Sequence, residues 1–113
     1  RFVLMPAGRP IKNSAEALTS PKMASLVEEF KHRYPSRIVL FDLPPLLQTA
    51  DVLAFSPYTD ALLLVVEDEK TTSEEIERAL QLVKGNTPVL GTVLNKAGKG
   101  HMTPAAMKRM LLT

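Results

Sequence analysis

The chain has 113 residues, enough for one domain or part of one, with 45% apolar and 23% charged residues. Fourteen basic residues against twelve acidic leave a net charge of +2, too even a balance to favour nucleic acid or an anionic membrane surface as a partner. No cysteine is present, which excludes disulfides and thiolate metal sites and is compatible with a reducing cytoplasm. No apolar run is long enough to span a bilayer.

Residues 2–5 read as a short apolar strand closed by Pro6-Ala7-Gly8. The chain therefore starts at Arg1 on a strand, and we expect residues 1–113 to be a single domain fragment with motifs lying upstream. Residues 9–20 are polar and read as a loop with a short helical turn around 15–18. Ser20-Pro21 then opens a helix, serine as N-cap and proline at the first helical position. Met23, Leu26, Val27 and Phe30 give that helix an apolar face. Lys31, His32 and Arg33 crowd its end, where cations suit the helix dipole.

Ile38-Val39-Leu40-Phe41 predicts a strand buried on both faces, as in a parallel sheet. Asp42 closes it, and Pro44-Pro45 stiffen the exit. Open α/β sheets place ligands at strand carboxyl ends. A lone carboxylate there can hold Mg²⁺ through water; equally, Asp caps turns. A short helix follows to about Phe55, then a Ser56-Pro57-Tyr58 turn. Residues 61–66 form a second apolar strand, and 67–71 a charged loop. Thr72 and Glu75 have capping-box spacing, opening a helix with an Ile76, Ala79, Leu80, Val83 stripe, which Gly85 ends. Residues 88–94 predict a further strand, ending in Asn95-Lys96. Thr103-Pro104 opens a last helix to about Leu112, with Ala106, Met107, Met110 and Leu111 as its apolar set. The alternation β-α-β-α-β-α-β-α implies an α/β fold: a parallel sheet with helices on both faces and right-handed crossovers.

Asn95 is the second candidate. Its amide offers a donor and an acceptor, matching a purine edge, although Asn before Ala97-Gly98 is also a common turn former. Ala97-Gly98 supplies no Asp to read guanine. Thr71 and Thr72 could contact nucleotide or substrate, although Thr72 reads first as a helix cap, and the acidic residues of 67–69 read as a solvated rim. His32 and His101 have no partner pattern.

The run of apolar residues, Asp42, Leu43, Pro44-Pro45 resembles the second nucleotide motif (Walker B type) of bacterial tyrosine autokinases, within the deviant P-loop ATPases. The resemblance extends to Leu4-Met5-Pro6-Ala7-Gly8-Arg9-Pro10 with Asn13, residues 15–18 and Ser20, to residues 60–66 with Lys70-Thr71-Thr72, and to Pro88-Val89-Leu90-Gly91-Thr92-Val93-Leu94-Asn95. It covers about residues 2–98. It implies the C-terminal half of a P-loop NTPase-like fold from a protein-tyrosine kinase of exopolysaccharide biosynthesis. It further implies ATP and Mg²⁺ as cofactors, with Asp42 as the catalytic, Mg²⁺-organising residue and Asn95 reading adenine. The implied location is cytoplasmic, at the inner face of the cell membrane. The implied partners are a membrane-anchored polysaccharide-export activator protein and further copies of the same chain, with no nucleic acid.

No Gly-x-x-x-x-Gly-Lys-Ser/Thr loop occurs, and Gly98-Lys99-Gly100 is no substitute. Nor does the family's other Mg²⁺-binding acidic motif occur, or its C-terminal tyrosine cluster, since only Tyr34 and Tyr58 are present. Alone, the chain is not expected to transfer phosphoryl groups. Two rival readings are a partition or division ATPase of the same fold and a non-catalytic docking module.

Overall fold

The computed structural model describes residues 2–98. Its elements run α1 (Ser14–Leu18), α2 (Pro21–Arg33), α3 (Asp51–Phe55), a 3₁₀ turn (Ser56–Tyr58), β1 (Leu62–Glu67), α4 (Ser73–Val83) and β2 (Val89–Asn95). The expected helix over 103–112, with His101, lies outside the described residues.

The helices begin and end where their local chemistry dictates. Ser20 Oγ accepts the Met23 N–H at 3.3 Å, and Pro21 occupies the first turn of α2. Arg33 pairs with Glu29 one turn back at 2.6 Å, on the solvent side. At α4 the capping box closes reciprocally. The Glu75 N–H donates to Thr72 Oγ1 at 3.2 Å, and the Thr72 N–H donates to Glu75 Oε2 at 2.9 Å. Beyond α4 the chain turns through Gly85 at φ +82°, a left-handed conformation that glycine adopts without Cβ strain.

β1 and β2 pair in parallel, with α4 as the crossover between them. Leu63 faces Gly91, Val65 faces Val93 and Glu67 faces Asn95, and the register shifts once between Leu62 and Leu63. One side of the pair turns inward, where Val66 joins Val27 of α2, Val52 and Phe55 of α3, and Ala79 and Val83 of α4 among the buried residues. The other side is open: Leu63 is 54% exposed and Val65 61%.

A chain of rings links the N-terminal helices to the segment before Asp42. Phe30 lies 6.4 Å from Phe41, Phe41 packs edge-on to Phe55 at 4.9 Å, and Phe55 packs on Tyr58 at 5.7 Å. Ser56 is fully buried, and its carbonyl accepts from both Thr59 Oγ1 and Thr87 Oγ1 at 2.8 Å. This ties the 3₁₀ turn ahead of β1 to Thr87 on the approach to β2, so the buried polar groups there are satisfied. Ser14 Oγ donates to Asp51 Oδ1 at 2.8 Å and straps α1 onto α3.

The parallel α/β arrangement is present, but the sheet among the described residues has two strands. Residues 2–5 and 38–41 form no strand and lie outside the ladder, contrary to what their composition predicts. Ile38 is 91% exposed and Leu40 77%. An apolar run supplies a preference for burial, whereas a strand also requires a neighbour to exchange N–H···O=C bonds. Helices on both faces are not seen either, because the Leu63–Val65 side carries no cover among the described residues.

Candidate functional site

Two candidate positions come from different parts of the fold. Asp42 follows segment 38–41, which no ladder holds. Its anchor is its neighbour Phe41, half-buried between Phe30 and Phe55. Leu43 is half-buried, Pro44 and Pro45 are exposed, and the Gln48 N–H donates to the Pro45 carbonyl at 3.0 Å to close the turn. The Asp42 side chain is exposed and makes no hydrogen bond or ion pair to a described residue.

Asn95 ends β2 at the carboxyl edge of the sheet. Its Oδ1 accepts the Lys96 N–H at 2.9 Å, and its carbonyl accepts the Asp68 N–H at 3.0 Å. Lys96 is left-handed at φ +59°, a conformation that costs a residue bearing a Cβ about 1–2 kcal/mol. The turn directs the lysine back over β1, where Lys96 Nζ donates to Glu67 Oε1 at 2.8 Å. Lys70 Nζ donates to Glu67 Oε2 at 3.2 Å. The two ammonium groups, Lys96 first, hold the Glu67 carboxyl below the usual glutamate range. The Glu67 N–H donates to Thr71 Oγ1 at 3.0 Å, so Thr71 braces the loop while Thr72 caps α4.

The structure thus brings together Glu67, Lys70, Thr71, Asn95 and Lys96. No hydrogen bond or ion pair among the described residues joins Asp42 to them. Sequence reading treated Glu67 as part of a solvated acidic rim. The missed signal is positional: Glu67 and Asn95 are each the last residue of an apolar run, and parallel pairing sets such residues side by side.

The donor set limits which metal this region could hold. No group of three or more His, Cys, Asp or Glu residues is placed to bind a metal among the described residues. A lone carboxylate such as Asp42 fits an ion that keeps most of its waters, as Mg²⁺ does, and does not fit a cation that needs a protein-built cage. No helix among the described residues is long and apolar enough to cross a membrane.

Comparison with known proteins gives the same kind of relative repeatedly. A Ralstonia solanacearum protein named as a tyrosine-protein kinase, EpsB, is 36% identical over 84 residues, which is 74% of this chain and 11% of that protein. The succinoglycan biosynthesis transport protein ExoP of Rhizobium meliloti (strain 1021) is 35% identical over 108 residues, 90% of this chain and 13% of that protein. The tyrosine-protein kinase YwqD of Bacillus subtilis (strain 168) is 33% identical over 84 residues, 74% of this chain and 35% of that protein. The chain therefore spans 11% to 35% of the length of these relatives. No family model and no solved structure matches it.

Proposed function

Because this chain is homologous to a segment of the bacterial tyrosine-protein kinases, we propose that it is the C-terminal part of an ATP-binding protein-tyrosine autokinase domain serving exopolysaccharide biosynthesis and export. The observation that carries the reading is similarity over 74% to 90% of the chain to proteins named for tyrosine phosphorylation and for succinoglycan biosynthesis transport. The geometry is compatible with it. Asn95 stands at the carboxyl edge of a parallel pair, the edge where open α/β folds take their ligands.

In this reading Asn95 contacts the adenine base, and Asp42 orients water in the Mg²⁺ shell. Mg²⁺ bound with ATP supplies charge neutralisation for phosphoryl transfer. The phosphates are held by a glycine-rich loop elsewhere in the complete protein, since none occurs in this sequence. The domain works at the cytoplasmic face of the membrane, beside a membrane-anchored export partner, and forms homo-oligomers.

Calorimetric titration of the full-length protein with ATP–Mg²⁺, followed by a turnover assay, tests the reading. Saturable binding, with Mg²⁺-dependent phosphorylation lost in Asp42→Asn, is the expected result. No binding would leave a docking module as the better description. Intact turnover in Asp42→Asn would remove that residue's role.

A further inference from the structure

The residue after Asn95 holds a backbone conformation that its side chain disfavours. Lys96 lies at φ +59°, in the left-handed region that glycine enters freely and a residue bearing a Cβ does not. Such a conformation persists only where the surroundings over-determine it. Two contacts hold it here. The Lys96 N–H donates to Asn95 Oδ1 at 2.9 Å, and Lys96 Nζ donates to Glu67 Oε1 at 2.8 Å. Glu67 is anchored from the β1 side. Lys70 Nζ donates to its Oε2 at 3.2 Å, and its own N–H donates to Thr71 Oγ1 at 3.0 Å. The Asp68 N–H in turn donates to the Asn95 carbonyl at 3.0 Å. The contacts close a ring that runs from Asn95 through Lys96, Glu67 and Asp68 back to Asn95.

That ring fixes the Asn95 amide. Its oxygen is taken up by the Lys96 N–H, and Nδ2 makes no hydrogen bond to a described residue. If Lys96 left the left-handed region, its N–H would turn away from Oδ1. The amide could then rotate and exchange donor for acceptor. The ion pair is the part of the ring that resists this. The Glu67 side chain is 30% exposed and that of Lys96 64%, so the charge-assisted bond is screened less than a fully exposed pair. Resting on the reading that Asn95 contacts the base, we infer that Glu67 is a positioning residue of the nucleotide site. Through Lys96 it holds the left-handed turn that fixes the Asn95 amide, and it does not touch the ligand.

The test measures Kd for ATP with Mg²⁺ on the full-length protein. Releasing a left-handed residue that bears a Cβ shifts its population about 5- to 30-fold. Apparent affinity falls with the fraction of protein in the competent conformation, so Glu67→Ala and Lys96→Met are each expected to weaken ATP binding about tenfold. Lys96→Gly loses the same ammonium but enters the left-handed region without Cβ strain, and is expected to regain most of what Lys96→Met loses. In the Lys96→Gly background, Glu67→Ala is expected to add less than about twofold. Equal losses in Lys96→Gly and Lys96→Met overturn the inference, because the ammonium itself would then be what binding needs. A Glu67→Ala loss that persists in full beside Lys96→Gly also overturns it, since Glu67 would then act on the ligand directly. Unchanged affinity in Glu67→Ala, with binding still weakened in Asn95→Ala, overturns it and leaves the base site in place. If Asn95→Ala leaves ATP affinity untouched, the base site is elsewhere, and the ATP-binding reading of Asn95 falls as well.

Discussion

Replacing Phe41 by leucine removes the one ring that ties the Asp42 segment to the helices. No strand ladder shares that task, since residues 38–41 are unpaired. The edge-on contact with Phe55 at 4.9 Å lies well inside the favourable range for aromatic pairs, and the Phe30 contact at 6.4 Å lies near its outer limit. Leucine keeps most of the apolar volume, so what is lost is chiefly the ring geometry. An aromatic pair contributes about 0.5–1.5 kcal/mol beyond its buried area. A double-mutant cycle with Phe41→Leu and Phe55→Leu should therefore give a coupling of about 1 kcal/mol, and the Phe30–Phe41 cycle a smaller one. Against a total stability of about 5–15 kcal/mol, that is readable in urea midpoints at constant m. A Phe41–Phe55 coupling below about 0.3 kcal/mol, the level at which independent sites simply add, would refute the claim that the rings hold this segment.

Three further outcomes follow from the geometry. Thr72→Ala leaves the Glu75 N–H without its cap and should cost about 1 kcal/mol in urea unfolding, with Thr72→Ser retaining most of the stability. Glu67 has its carboxyl held low by Lys96 and Lys70. Its contribution is present above the unfolded-state glutamate value of 4.5 and is lost as pH falls through the lower folded value. The stability gap between wild type and Glu67→Gln, followed by thermal melts across pH 2–6 (a window set around the reference glutamate value), should close on acidification and shrink in high salt. The open sheet side at Leu63 and Val65, with Ile38 and Leu40 also exposed, should drive self-association of the isolated chain. Sedimentation velocity should show concentration-dependent oligomers that Val65→Lys reduces. A monodisperse monomer with a high melting temperature would contradict this.

The helices were legible because their signals are local. Ser20-Pro21, the Thr72–Glu75 pair and Gly85 act through hydrogen bonds and φ values spanning four residues or fewer, so distant sequence cannot overrule them. β1 and β2 were legible for a related reason: an apolar run, a well-capped helix and a second run form one crossover unit. Residues 2–5 and 38–41 have the same composition and did not become strands, because the partner that makes a strand is not encoded in the run itself. The site divides along the same line. Asn95 was visible from its position at a run's end. Glu67 was hidden in an acidic stretch, and only the register that sets it opposite Asn95, together with the left-handed turn at Lys96, gives it a distinct environment. The ring chain through Phe41 joins residues whose spacing shows no periodicity.

The Ser14–Asp51 strap also bears on the order of folding. It joins residues 37 apart in sequence, and such a closure carries an entropy cost before any bond repays it. The crossover unit from β1 through α4 to β2 contains its own capping box and its own pairing, so its contacts are mutually supporting over a shorter stretch of chain. Local contacts form faster than distant ones. Residues 62–95 should thus acquire structure first, and α1 should reach α3 last, as a late clasp that opens most readily under native conditions.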